Sequence, residues 1–154
     1  MKNILKRIMK LLLPVFPNRM RIKALRLSGY GVGSDVYISG DLRISDITCR
    51  RKNVIIGDRV SIGPGVIIVT DSSANNSILT KVYPLISGIV HIDEDCWISA
   101  GVIILPNVKI GKCSIIAAGA VVTKDVPPFS IYGGIPAKLI KKIEGRLDHH
   151  LCYN

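Results

Sequence analysis

Residues 92–124 read IDEDCWISAGVIILPNVKIGKCSIIAAGAVVTK, and an aliphatic side chain recurs in this stretch at every sixth residue. A helix repeats every 3.6 residues and a strand every two, so a strict period of six indicates an internal structural repeat. The same phase is present from residue 32 to residue 68, with Arg50 as the one break in that range. The aliphatic positions are Val32, Ile38, Ile44, Ile56, Ile62, Ile68, Ile92, Ile98, Ile104, Ile110, Ile116 and Val122.

A second set of positions has the same period. Four residues after each aliphatic position comes a small or medium-sized side chain, and glycine or serine often follows the aliphatic residue where the backbone must bend. Two inward side chains in every six residues suit a solenoid of short strands joined by tight turns, so we predict an all-β solenoid over residues 31–126. The second set is Val36, Leu42, Thr48, Val60, Val66, Cys96, Val102, Val108, Ser114, Ala120 and Val126.

Three strings carry a family resemblance: CWISAG at 96–101, AAGAVVTKDVPP at 117–128 and GGIPAKLIKKI at 133–143. They resemble the WIGAG, GAGSVVTKDVPP and GNPAKVI strings of the hexapeptide-repeat acyltransferases that use coenzyme A, especially the galactoside and maltose O-acetyltransferases. The resemblance covers residues 32–143. It implies a left-handed parallel β-helix with three hexads per coil, assembled as a homotrimer. It also implies transfer of an acetyl group from acetyl-CoA to a hydroxyl of a saccharide or lipid-linked saccharide.

The resemblance further implies which residues hold acetyl coenzyme A. The backbone amides of Ala100 and Ala118 would bond the thioester and pantetheine, and Trp97 would wall the reacting end. The adenine and phosphate end would be received by Thr123, Lys124, Pro136, Lys138 and Lys141. Lysines serve there as point charges for phosphate. Alternatively, Trp97 covers a corner of the solenoid and the last two lysines form a solvated basic face.

The acceptor side is assigned to a loop. Ile68 and Ile92 are separated by four periods of the repeat instead of one, so the polar residues 69–91 are predicted to form a loop extruded from one corner. In the resembled enzymes a loop histidine acts as general base. An ungapped count places Ser73 at that position, and a serine cannot act as the base. The residues predicted to bind the acceptor are Ser72, Ser73, Asn75 and Asn76.

Three alternatives follow from the missing histidine. Asp71 could be the catalytic base if burial or a neighbouring group raises its pKa. His91, at the end of the loop, or the tail residues His149 and His150 of a neighbouring subunit could take the role instead. In the third alternative the chain is a catalytically silent homologue that binds saccharide or coenzyme A, or acts as an assembly partner.

The N-terminal segment, residues 1–30, is basic and helical in pattern. Residues 1–13 place apolar and basic side chains on opposite helical faces, and residues 1–27 hold eight basic residues and no acidic one. This pattern favours either peripheral contact with an anionic membrane or packing on the solenoid end or a neighbouring subunit. Nucleic acid is disfavoured because aromatic residues are 5% of the chain and no binding motif is present.

The remaining features bound the compartment and the metal content. No stretch approaches the ~20 apolar residues that span a bilayer, and the four cysteines lack paired metal-ligand spacing, so we expect a cytoplasmic protein with reduced thiols. The three histidines do not have the arrangement that a γ-class carbonic anhydrase needs for zinc, and no metal is expected. Residues 127–154 are predicted to be a C-terminal extension in which residues 139–146 form a short helix.

Overall fold

The computed structural model describes residues 13–47 and 52–143 of the chain. Within these residues, a 3₁₀ helix (Leu13–Val15) and the helix α1 (Asn18–Leu27) precede the strands, and a second 3₁₀ helix (Ile78–Lys81) lies in the long loop. The strands are β1 (Gly31–Val32), β2 (Tyr37–Ile38), β3 (Arg43–Ser45), β4 (Val54–Ile56), β5 (Ser61–Ile62), β6 (Ile67–Val69), β7 (Asp71–Ser72), β8 (Ile86–Ser87), β9 (Val90–Ile92), β10 (Trp97–Ile98), β11 (Ile103–Ile104), β12 (Lys109–Ile110), β13 (Ile115–Ile116), β14 (Val121–Val122), β15 (Ser130–Gly133) and β16 (Lys138–Lys142).

Three sheets run along the solenoid. Sheet A has the strand order β1-β4-β9-β12, sheet B has β16-β15-β13-β10-β5-β2, and sheet C has β14-β11-β6-β3. The chain passes from A to B to C and back to A, and its pairs within these sheets are parallel except for β15 with β16. Trp97 pairs with Ile115 and Ile103 with Val121, in each case three hexads further along the chain, so three hexads make one coil.

The core consists of the two predicted sets of inward positions. Every described member of the second set is buried, and so is every aliphatic position from Ile38 to Val122. Like residues stack in register, as Ile62, Ile98 and Ile116 do in sheet B. Each fully buried isoleucine contributes about 1.5–3 kcal/mol to folding. The predicted inward pattern is therefore confirmed, with Val32 at the lower end only half-buried.

The corner between sheets A and B repeats one backbone conformation. A non-glycine residue with positive φ occupies the same place in five successive coils. In the upper four of these coils, the backbone amide of that residue donates a hydrogen bond to a backbone carbonyl of the coil below. Arg59 and Asp95 also join two coils through paired 2.7 Å hydrogen bonds between guanidinium and carboxylate. The five residues are Asp35, Arg59, Asp95, Cys113 and Phe129.

The first coil is longer than the regular three hexads. Gly31 pairs with Ile55 and Tyr37 with Ser61, a separation of four hexads along the chain. The extra hexad lies between β3 and β4, where residues 48–51 fall outside the described part of the chain. The six-residue phase of the sequence is unchanged across this longer coil because the insertion is one full period long. Arg50, the break in the repeat, falls within this longer connection.

The upper end differs from the sequence-based expectation. Val126 forms a parallel bridge with Ile110, and β15 pairs with β13, so the coil continues beyond Val122 in a turn slightly shorter than three hexads. The strand β16 then runs back antiparallel to β15. The short helix expected over residues 139–146 is wrong for residues 139–142, which lie in β16, and residues 144–146 are outside the described part.

The lower end is closed by α1. Ala24 and Leu25 of this helix are buried against the first coil together with Leu13. The Asn18 side chain bonds the backbone of the first coil at two points. Its Nδ2 donates to the Val36 carbonyl at 2.9 Å, and its Oδ1 accepts from the Ile38 backbone amide at 3.0 Å. Residues 18–27 thus pack on the solenoid end, while the helix predicted over residues 1–13 lies, apart from Leu13, outside the described residues. No helix in the described part is long and apolar enough to cross a bilayer.

Burial of one inward side chain makes stability depend on pH. Desolvation raises the pKa of the Cys96 thiol to about 12, whereas an exposed thiol titrates near 8.5. Between these values the unfolded chain loses a proton that the folded chain keeps, so stability falls as the pH rises. We expect Cys96→Val, which places there the valine of the equivalent positions 36 and 60, to weaken this alkaline loss, measured by urea unfolding between pH 8 and pH 11.

Candidate functional site

The corner between sheets B and C carries a ladder of stacked turns. Gly65, Gly101 and Gly119 occupy the same place in successive coils with φ of +69°, +68° and +70°. The Gly101 amide donates to the Pro64 carbonyl at 2.8 Å, and the Gly119 amide donates to the Ala100 carbonyl at 2.9 Å. A residue with positive φ at the third place of a tight turn is typical of the type II turn, which favours glycine there.

Two amides on this corner take no part in the ladder's own bonds. Ala100 and Ala118 directly precede the glycines, and both residues are exposed. Within residues 13–47 and 52–143, neither amide donates a hydrogen bond to another group. Backbone amides need an acceptor, from solvent or from a ligand. Their coils are adjacent, so the two donors are separated by about the 4.8 Å spacing of neighbouring strands.

The turn after β15 extends the corner upwards. The Gly134 carbonyl accepts a hydrogen bond from the Val121 amide at 3.0 Å, and the Ala137 amide donates to the Val121 carbonyl at 2.8 Å. Between them the Ile135–Pro136 peptide bond is cis, and both residues are exposed. Pro136 therefore lies at the same corner as the amides of Ala100 and Ala118, next to the uppermost strand of sheet C.

Trp97 and two lysines lie on sheet B beside this corner. Trp97 projects from β10 between Ser61 and Ile115, and it is 55% exposed. Lys138 and Lys141 lie on β16 at the upper edge, where they pair with Gly133 and Ile131. The structure thus places Trp97, Ala100, Ala118, Pro136 and the two lysines along one side of the solenoid.

Thr123 and Lys124 lie elsewhere. They follow β14 and are exposed at the corner where sheet C passes to sheet A. Sheet C separates this corner from Ala100 and Ala118. The structure of one chain therefore does not bring together all of the residues that were expected to hold one ligand.

The long loop leaves the solenoid at the corner between sheets C and A. Strands β7 and β8 form its antiparallel stem, with Asp71 opposite Ser87 and Ser72 opposite Ile86. The loop and its stem carry many exposed large apolar side chains, each at least 45% exposed. These are Ile78, Leu79, Val82, Tyr83, Leu85, Ile86 and Ile89.

The polar residues of the loop differ in exposure. Asp71 is 1% exposed, and its Oδ1 accepts a hydrogen bond from the Ile47 amide at 2.7 Å. Ser73 is half-buried, and its Oγ accepts from the Asn75 amide at 3.1 Å. Ser72, Asn75 and Asn76 are exposed. The loop therefore presents hydroxyl and amide groups to solvent, whereas its carboxylate faces the protein.

His91 lies on the other side of the loop base, in sheet A. Its side chain projects from β9 next to Lys109 of the following coil and is 38% exposed. The His91 Nε2 is 3.2 Å from the Asp93 Oδ1, and Lys109 Nζ is 3.3 Å from the other oxygen of that carboxylate. This arrangement orients the imidazole and leaves it accessible.

Comparison with known proteins agrees with the repeat. The bacterial transferase hexapeptide model, which comprises six repeats, matches residues 89–124. The galactoside O-acetyltransferase of Lactococcus lactis is 37% identical over 111 residues, which are 72% of this chain and 52% of that protein. The Escherichia coli galactoside O-acetyltransferase is 34% identical over 123 residues, which are 80% of this chain and 59% of that protein. The chain belongs to the hexapeptide-repeat family.

A solved hexapeptide-repeat structure supports the same conclusion over most of the chain. The hexapeptide-repeat acetyltransferase of Vibrio cholerae, crystallised with acetyl coenzyme A, has a TM-score of 0.68 and 27% identity. The match covers 94% of this chain and 88% of that one. By contrast, the chain spans about half the length of the curated relatives it matches.

In this hexapeptide-repeat chain, sequence reasoning missed a buried polar cluster under the loop. Tyr30 Oη donates to Asp46 Oδ2 at 2.7 Å, and Asn53 Nδ2 donates to Thr70 Oγ1 at 2.9 Å. All four residues are buried, and the Thr70 carbonyl accepts from the Gly88 amide, which closes the loop base. The signal in the sequence was the change from aliphatic to polar residues at Thr70.

The described part of this hexapeptide-repeat chain holds no cluster of metal ligands. Among residues 13–47 and 52–143, no group of three or more histidine, cysteine, aspartate or glutamate side chains is arranged to hold a metal ion. His149 and His150 lie outside those ranges.

Proposed function

We propose that the protein transfers an acetyl group from acetyl-CoA to a hydroxyl of a saccharide or lipid-linked saccharide. The observation that carries this proposal is the pair of exposed amides of Ala100 and Ala118, which donate to no other group in the described part of the chain and lie near Pro136 and Trp97. Relatives at 34–37% identity are galactoside O-acetyltransferases, and the Vibrio cholerae neighbour was solved with acetyl coenzyme A. These observations support the donor and the acceptor class together.

The groove along the corner suits a long donor. Acetyl coenzyme A supplies the acetyl group as a thioester when bound. The amides of Ala100 and Ala118 are placed to donate to carbonyl oxygens of the thioester and pantetheine arm, and Trp97 supplies an aromatic wall at the lower end. Lys138 and Lys141, at the upper end, provide positive charge for the phosphates.

We propose that a second copy of the chain completes this groove, in a homotrimer of left-handed coils. Thr123 and Lys124 lie at the far edge of sheet C, so a straight ligand on the Ala100 corner reaches such residues more readily on a neighbouring copy. The apolar side chains of the loop support association, because an exposed apolar patch of this kind marks an interaction surface.

We assign the general base to His91. An imidazole titrates near neutral pH, and this one is accessible and held by Asp93. Because sheet A lies opposite the Ala100 corner within one chain, the imidazole serves the donor groove of a neighbouring copy, where it takes the proton of the acceptor hydroxyl as that oxygen bonds the thioester carbonyl carbon. The carbon–sulfur bond then breaks and the thiolate takes up a proton. Ser72, Ser73, Asn75 and Asn76 contribute hydrogen bonds to the acceptor. Asp71 remains the alternative base, but its burial and its bond from Ile47 favour a structural role.

The donor site can be tested by removing a single amide hydrogen. Pro64 occupies the turn position of Ala100 in the coil below, and Gly63 lies beneath the Ala100 nitrogen, as Gly111 lies beneath Pro128. Proline should therefore fit at position 100. We expect Ala100→Pro to weaken coenzyme A binding roughly 3- to 10-fold, the value of one hydrogen bond, without lowering the melting temperature. Calorimetric titration measures the affinity, and Ala100→Ser, which keeps the amide, should bind normally.

The activity itself is tested by acetyl-CoA consumption against a panel of sugars, with the acetylated products identified by mass spectrometry. The proposal expects an O-acetylated sugar. The absence of histidine at position 73 favours one other function, a catalytically silent homologue that binds coenzyme A or saccharide. Coenzyme A binding without transfer to any acceptor would support the silent homologue. If the protein neither binds coenzyme A nor transfers an acetyl group, both the acetyltransferase and the silent-homologue functions are contradicted.

Membrane contact remains a prediction for the basic N-terminus, and we propose a cytoplasmic protein attached at the inner face. We expect the full chain to cosediment with anionic liposomes and to be released by salt, which screens surface charges. Removing residues 1–12, which hold four of the eight basic residues of segment 1–27, should weaken this sedimentation. The truncation stops there because Leu13, Ala24 and Leu25 belong to the core. Equal sedimentation with neutral liposomes would argue against an electrostatic contact.

A further inference from the structure

A groove of about 660 Å³ lies between α1 and the start of the first coil, outside the proposed donor groove. Its walls are the outer face of the helix and residues 33–37, which include the corner from sheet A to sheet B. This volume lies within the range of small-molecule sites, about 300–1,000 Å³. The groove can therefore hold a ligand of the size of a phosphorylated sugar or a lipid headgroup.

Three basic side chains of α1 line this groove. Arg19, Lys23 and Arg26 follow one another at spacings of four and three residues, which places them on one face of the helix. The sequence of α1 contains no acidic residue. Asp35 is the acidic side chain of the lining. The groove therefore combines three positive charges with one negative charge.

The ends of the groove are set by contacts within the fold. Arg26 Nε donates to the Val32 carbonyl at 3.0 Å, and its Nη2 donates to the Gly33 carbonyl at 2.6 Å. These bonds hold the guanidinium at one end. Tyr37 is 54% exposed at the other end, where its phenol can stack on a ring or donate a hydrogen bond.

The nearby carboxylate of Asp58 offsets part of the charge of Arg26, and the pKa of Asp58 is lowered mainly by its hydrogen bonds from Ser34. Its Oδ1 accepts hydrogen bonds from the Ser34 amide at 2.6 Å and the Ser34 hydroxyl at 2.9 Å. Asp58 is therefore held at the corner beside Arg26, whereas Arg19 and Lys23 are both exposed. Arg21, on the opposite face of α1, donates to the Ile38 carbonyl and serves the packing of the helix.

We propose that this groove binds a phosphate-bearing ligand. Phosphate is the anion that arginine forks and lysine ammonium groups together recognise well. Its source is the headgroup of an anionic phospholipid or a soluble phosphate compound. The proposal does not depend on acetyl transfer, because the groove shares no residue with the donor or acceptor sites.

The test is titration of the full chain with inorganic pyrophosphate, monitored by calorimetry in the presence of excess coenzyme A, which keeps any coenzyme A phosphate site filled. We expect saturable binding that weakens at least tenfold in the double variant Arg19→Gln/Lys23→Gln. The matched control is Arg43→Gln/Lys142→Gln, which removes the same charge from exposed positions outside the groove, and its affinity should equal that of the parent chain.

The source is distinguished by sedimentation with vesicles of phosphatidylglycerol or phosphatidylcholine. If the ligand is a lipid headgroup, the Arg19→Gln/Lys23→Gln variant binds phosphatidylglycerol vesicles more weakly than the charge-matched control does. If the ligand is soluble, the two variants sediment equally and differ in pyrophosphate binding alone. Equal behaviour of the two variants in both experiments would overturn the proposal.

Discussion

Replacing His91 by alanine is expected to lower the rate of acetyl transfer by about 10²- to 10⁴-fold, the usual contribution of a general base. The side chain projects from sheet A and is not part of the core, so the melting temperature should stay close to that of the parent chain. Steady-state kinetics with the best acceptor of the panel measure the effect. The loss should appear in kcat, because the imidazole acts on the reacting proton.

Two companion variants decide between the candidate bases. Asp93→Asn keeps the shape beside His91 but removes the charge 3.2 Å from its Nε2. We expect a smaller loss of activity than in His91→Ala, because the imidazole is kept but loses the carboxylate that orients it. If Asp71→Asn abolishes transfer at an unchanged melting temperature while His91→Ala does not, the assignment to His91 is wrong and Asp71 is the base.

Replacing Ile116 by alanine is expected to cost about 2–5 kcal/mol of unfolding free energy, the range for a large aliphatic residue cut to alanine in a packed core. Ile116 is fully buried and stacks directly on Ile98 below and on Tyr132 above. In a solenoid each coil is stabilised mainly by its neighbours, so a cavity there weakens two interfaces at once. Urea unfolding followed by circular dichroism measures the loss.

The adjacent residue provides the control. Ile115 lies on the same strand but projects outward and is half-buried. Ile115→Ala should therefore cost less than about 1 kcal/mol, since it removes a part-exposed side chain and leaves no enclosed cavity. A loss in Ile115→Ala equal to that in Ile116→Ala would contradict the inward orientation of Ile116 and the outward orientation of Ile115.

The inward positions could be predicted because the six-residue period marks them directly. Ile98 and Ile104 alternate with Val102 and Val108 in a pattern that no helix or isolated strand produces. The extra hexad of the first coil was hidden, because an insertion of one full period leaves the phase intact. Counting residues along the sequence shows whether the six-residue phase is kept, but it does not show to which of the three sheets each strand belongs.

The upper end was mispredicted for a different reason. The solenoid was expected to end at residue 126, directly before Pro127 and Pro128, and proline cannot donate to a sheet ladder. They lie at a corner, and Pro128 stands above Gly111, where any Cβ would be 2.5 Å from the proline nitrogen. The missing side chain of that glycine makes room for the proline. Pairs of residues one coil apart decide such packing, and a single sequence does not display them.

The candidate site was only partly predictable. Local strings identified Ala100 and Ala118, because a turn sequence determines the conformation of its own amides. The separation of Thr123 from that corner and the burial of Asp71 depend on where β14 ends and how the loop folds back. Those are relations between distant segments. The Lys109–Asp93 ion pair was likewise invisible until β9 and β12 were placed side by side.

The two ends of the solenoid restrict how copies of the chain can meet. At the lower end α1 covers the first coil, and at the upper end β16 reverses direction and presents Lys138, Lys141 and Lys142 along its exposed length. A second solenoid stacked end to end would have to place its first strand against charged side chains, which proteins use to blunt sheet edges. In the described part of the chain, growth into a fibre is therefore blocked at both ends, and side-by-side association remains open.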